Sequence, residues 1–98
     1  MAVLYVESAH QAGTILSLVQ SAIESQIAQL ELAVKLADKR LAPYEQKYNT
    51  TSEQFMAWMT AEDLQGGDDE YVHWAGEYQL RQRLQDKLRK LQGIEYRA

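Results

Sequence analysis

Residues 8–48 read SAHQAGTILSLVQSAIESQIAQLELAVKLADKRLAPYEQKY, and the spacing within them decides the fold class. Apolar side chains recur at Leu16, Val19, Ile23, Ile27, Leu30, Val34, Ala37, Leu41, Tyr44 and Tyr48. The steps alternate between three and four, with one extra four around Ile27, which is a helix face of coiled-coil type with a stutter. Gln20, Glu24, Glu31, Asp38 and Lys39 occupy the other side, and Glu31 stands four residues before Lys35 in the favourable order. Ser8 and Gln11 have capping-box spacing, so the helix is predicted to begin near Ser8. Pro43 either ends it near Leu41 or kinks it and lets it run to Tyr48.

Two shorter helices follow. Thr50, Thr51 and Ser52 are candidate N-caps, and both Thr50…Glu53 and Thr51…Gln54 fit a capping box. Phe55, Met56, Trp58, Met59 and Leu64 give a short apolar helix over 51–64, broken by Gly66–Gly67. Asp68 or Asp69 is expected to cap a third helix over 69–92, with Glu70 in its first turn and Gly93 at its end. Its stripe is Tyr71, Trp74, Tyr78, Leu84, Leu88 and Leu91. The N-terminal arm, residues 1–7, contains the run MAVLYV, a short strand or a frayed arm, and nothing else in the chain reads as a strand to pair with it. The predicted architecture is all-α: one helical domain over 1–98, a long helix about 9–48 with a kink near Pro43, and a helical hairpin, assembled as a dimeric bundle.

Length carries the case for assembly. A helix from 9 to 41 spans about 50 Å at 1.5 Å per residue, whereas a compact chain of 98 residues is only about 30 Å across. The third helix covers only part of the long stripe. Leu16, Val19, Ile23, Ile27, Leu30, Val34 and Leu41 are therefore expected to form a seam with a second copy or another chain. The alternative is a monomeric three-helix bundle folded back at Pro43.

The charge pattern narrows the partner. The net charge of −4 is uneven: residues 49–78 hold seven acids and no lysine or arginine, and residues 79–98 hold two acids and six bases. Phe55, Trp58, Asp68, Asp69, Glu70 and Trp74 are candidates for a hot spot whose acids steer a basic partner. The plainer reading makes the aromatics the core between helices two and three. Arg81, Arg83, Lys87, Arg89, Lys90 and Arg97 give a basic final third, and phosphate contact is physically possible there. The overall acidity argues against nucleic acid as the main ligand.

Enzymatic chemistry has little support. There is no cysteine, no Gly-x-Ser-x-Gly elbow and no phosphate-binding glycine loop. Glu-x-x-His occurs as Glu7…His10 and Glu70…His73, the spacing of a di-metal helical bundle. The surface or cap reading of these residues is preferred, so no metal, cofactor or catalytic residue is expected. No stretch is long and apolar enough to span a membrane, no secretory leader is evident, and the expected location is cytoplasmic.

The stretch Tyr44–Tyr78, YEQKYNTTSEQFMAWMTAEDLQGGDDEYVHWAGEY, carries a recognisable order. YExKY precedes a short turn, a Ser-Glu-x-Phe helix start, an acidic glycine-containing loop and Asp-x-x-Tyr-x-x-Trp. It resembles small helical proteins of cyanobacteria and archaea that are encoded beside toxin genes and regarded as antitoxins. The resemblance covers about a third of the chain and the leucine-rich helices flanking it. It implies neutralisation of a toxin by direct contact. A structural or regulatory coiled-coil homodimer is the alternative function, and a di-metal helical-bundle enzyme a third.

Overall fold

The computed structural model describes residues 2–7 and 11–97. Strand β1 (Ala2–Tyr5) leads into helix α1 (Ala12–Tyr48). Helix α2 (Ser52–Trp58), a 3₁₀ turn (Ala61–Asp63), helix α3 (Gly67–Gln92) and strand β2 (Ile94–Arg97) follow. The chain is mostly helical, with the long helix and helical pair that the spacing predicts.

Helix α1 starts at Ala12, not near Ser8. Gln11 adopts a left-handed conformation, φ 62°, which bends the chain into the helix. Ser8 and His10 lie outside the described residues. The helix then runs through Pro43 to Tyr48. Pro43 faces solvent, and the turn beyond it is anchored by Tyr44 and Tyr48, which pack into the core. Asn49, again left-handed, ends the helix by donating its N–H to Gln46 and Glu45 carbonyls.

The next helix is shorter than expected. Thr51 caps α2, its hydroxyl accepting the Gln54 N–H at 3.1 Å, and regular helix stops at Trp58. A separate 3₁₀ turn follows, in which the Asp63 carboxylate accepts the Thr60 N–H at 2.8 Å. Helix α3 begins two residues before the predicted 69, capped by Gly66 in place of Asp68 or Asp69. Gly67, at φ +61°, makes the entry that residues with a Cβ resist. The two aspartates sit in the first turn with Glu70, where negative charge suits the helix dipole.

Helices α1 and α3 run antiparallel, and two core clusters show it. At one end Leu41, Phe55, Leu64, Trp74 and Ala75 are buried together, with Tyr44 and Tyr48 against them. Further along, Leu30 and Val34 meet Leu88, flanked by Ile27, Leu84 and Leu91. Ion pairs bridge the middle, Arg40–Glu77 at 3.1 Å and Arg81–Asp38 at 2.5 Å. Thus Ile27, Leu30, Val34 and Leu41, expected as an interchain seam, are closed by the chain's own α3. Leu16, Val19 and Ile23, beyond the reach of that contact, are half-buried.

The strand expectation also needs correction. Ile94–Arg97 pairs with β1 in parallel, Ala2 opposite Ile94 through Tyr5 opposite Arg97. The whole helical hairpin is the crossover that parallel pairing demands. The molecule is a rod, 62 × 20 × 19 Å with a radius of gyration of 19.2 Å. A compact chain of this length has about 13 Å.

Candidate partner-binding surfaces

The interior of the α2–α3 end determines what its surface offers. Trp74 is fully buried. Phe55 stacks on it at 3.7 Å between centroids and 2° between planes. Tyr44 and Tyr48 lie nearly parallel to it at 5.4 and 5.6 Å. The indole Nε1–H donates to Ser52 Oγ at 2.9 Å. Ser52 donates its hydroxyl and its backbone N–H to Glu45 Oε2, at 2.8 and 2.9 Å. Among the described residues no buried side-chain nitrogen or oxygen lacks a partner, as burial requires.

A second set of contacts ties α1 to the start of α3. The Glu70 carboxylate accepts from Lys47 Nζ at 2.8 Å, from the Tyr48 hydroxyl and from the Gly66 N–H at 3.4 Å. The Tyr48 oxygen in turn accepts the Gln65 N–H at 2.8 Å. The Lys47 and Tyr48 hydrogen bonds hold the Glu70 carboxyl below its ordinary pKa. The bond to Glu70 raises that of Lys47.

The predicted hot spot therefore divides. Phe55 and Trp74 are core and cannot touch a partner; Phe55 stacks on Trp74, which also lies against Tyr44 and Tyr48. Glu70 is half-buried and occupied by Lys47 and Tyr48. Asp68 and Asp69 are exposed. Trp58, the last residue of α2, is 83% exposed. An indole left this open, in a segment whose charges are all negative, is an unusual surface feature.

The metal candidates are not brought together. His73 and Glu7 are exposed, Glu70 is bound as above, and His10 lies outside the described residues. Among the described residues no cluster of three His, Asp or Glu side chains is placed to hold an ion. An open cleft of about 380 Å³ between α1, α2 and α3 is lined by Asp38, Glu45 and Arg81 among others. Two of its carboxylates are engaged, Asp38 by Arg81 and Glu45 by Ser52, and Glu53 lies at the same cleft.

Sequence reasoning missed one surface. Ile15, Leu18, Leu32 and Leu36 all project from the outer side of α1 into solvent. The signal was partial, because only Ile15–Leu18 and Leu32–Leu36 are three and four residues apart, and the denser stripe beside them obscured it.

No helix among the described residues is long and apolar enough to cross a membrane. Comparison with protein-family models, curated proteins and solved structures finds no match for this chain.

Proposed function

We propose that this chain is a protein-binding module that holds a basic partner against Trp58 and the neighbouring carboxylates, acting as an antitoxin that neutralises a toxin by direct contact in the cytoplasm. The observation that carries the reading is the exposed Trp58 indole within thirty residues that contain no lysine or arginine. Tryptophan anchors are enriched among residues that dominate binding energy, and surrounding acids accelerate encounter with a basic chain. The resemblance of Tyr44–Tyr78 to antitoxin-like proteins supplies the biological class.

The test is recovery of partners from the native host by tagged wild-type chain and by Trp58→Ala, with proteins identified by mass spectrometry. One stoichiometric basic protein should come down with the wild type and be lost with the variant. The variant's melting temperature should stay put, because the indole contributes almost nothing to the core. Equal recovery by both chains would remove Trp58 from the site. Growth arrest by the recovered protein alone, relieved by co-expression of this chain, would establish the antitoxin role.

A homodimeric scaffold is the second reading, favoured by the exposed outer stripe of α1.

A further inference from the structure

The outer stripe of α1 is continuous. Ile15, Leu18, Ala22, Ser25, Gln29, Leu32 and Leu36 follow one another in steps of three and four without exception. At 3.6 residues per turn they lie about 120° around the helix from the buried face. Leu18 is 65% and Leu32 58% exposed. Five of the seven are apolar, with the polar Ser25 and Gln29 at the centre, and an apolar stripe at this spacing packs lengthwise against another helix; the chain's own α3 is on a different side.

The surface area agrees. The chain exposes 6957 Å² for 11.2 kDa. A compact monomer of that mass exposes about 5,700 Å². The excess is about 1,250 Å², compared with the roughly 800 Å² that each partner contributes to an ordinary stable interface. A second rod laid along the first would cover an area of that size.

The charges flanking the stripe favour one direction of pairing. We propose that two copies of this chain pair through the outer stripe of α1 with the helices antiparallel. In that arrangement Leu18 meets Leu36 of the second copy and Ala22 meets its Leu32. The polar Ser25 and Gln29 face each other at the centre, where they can hydrogen-bond. Ile15 rests on the aliphatic stem of Lys39. Parallel pairing would set Lys39 against Lys39 of the other copy in the seam and bring Lys35 beside Arg40. Charges at flanking positions choose helix orientation, and here they reject the parallel form. The dimer leaves Trp58 outside the seam, so it stands or falls separately from the partner reading.

The full chain is cysteine-free, so introduced thiols report unambiguously. Light scattering should give twice the 11.2 kDa chain mass. Leu18→Cys/Leu36→Cys should form a disulfide-linked dimer under mild oxidation, and Leu18→Cys alone should not. The variant Leu18→Asp/Leu32→Asp should keep its helical circular dichroism and weaken self-association by at least about a hundredfold, given charge placed at four seam positions per dimer. A wild-type chain that stays monomeric at high concentration would overturn the proposal. So would a dimer that survives the double aspartate variant, or efficient cross-linking by Leu18→Cys alone.

Discussion

Replacing Ser52 with alanine should destabilise this protein far more than the loss of one small hydroxyl suggests. Ser52 is 2% exposed and its Oγ is the acceptor for the buried Trp74 indole N–H. Removing that oxygen leaves the N–H without a partner, at a cost of about 1–3 kcal/mol. The hydroxyl's own bond to the Glu45 carboxylate is lost as well. That part costs less, because Glu45 is half-exposed and keeps the Ser52 backbone N–H. Together the loss is about 3 kcal/mol. For a domain of this size that lowers the melting temperature by roughly 12–24 °C. Urea unfolding followed by far-UV circular dichroism is the suitable assay, since Trp74 is itself to be varied. Trp74→Phe removes the donor, so Ser52→Ala should cost about 1–2 kcal/mol less in that background than in the wild type. A cost within about 0.5 kcal/mol of zero, or strict additivity of the two changes, would refute the claim that this hydrogen bond stabilises the aromatic stack.

Two further outcomes follow from the same contacts. Leu30→Asp should unfold the chain or cost at least about 3 kcal/mol, because it puts a carboxylate between Val34 and Leu88; Leu32→Asp, two residues on, should retain native helicity, and equal damage from both by circular dichroism would contradict the assignment of the two faces. Glu70 has its folded-state pKa lowered, so its contribution is present above the ordinary value of 4.5 and fades as pH falls through the lower folded value. Lys47, raised from 10.5, contributes below that value and loses its effect as pH rises through the higher one. The difference in urea midpoint between wild type and Glu70→Gln should therefore be largest near neutral pH and shrink in acid; a constant difference would show that the charge is irrelevant.

The inner stripe of α1 was legible because a three-four repeat can be buried only on one face. What closed it was not legible. Periodicity says that a partner helix exists, but not whether it belongs to the same chain, and α3 supplies it for Ile27 through Tyr48. Phe55 and Trp74 show the same ambiguity: a large aromatic in an acidic segment suits either a core or a hot spot, and only the stacking with Tyr44 and Tyr48 decides. Gln11 hid the helix start, since left-handed glutamine has no sequence signature. Strand β2 was missed for a different reason. IEYR is four residues, and its partner lies about ninety residues earlier, where no local rule connects them.

The residues behind the antitoxin resemblance turn out to share one structural task. Tyr44 and Tyr48 of YExKY lie against Trp74, Glu45 receives Ser52, and Lys47 reaches Glu70. Phe55 of the Ser-Glu-x-Phe start stacks on the same indole and tilts against Tyr71 of Asp-x-x-Tyr-x-x-Trp. Nearly every motif position thus fastens α2 and α3 to the end of α1, a task of folding and not of partner contact. On the proposed reading, partner choice resides where the motif is silent and the surface is open. Trp58 and the stripe from Ile15 to Leu36 are such places, and both proposed contacts use them. A protein that kept the aromatic stack but carried alanine at position 58 and charges along the outer face of α1 should fold in the same way and bind neither the same partner nor itself.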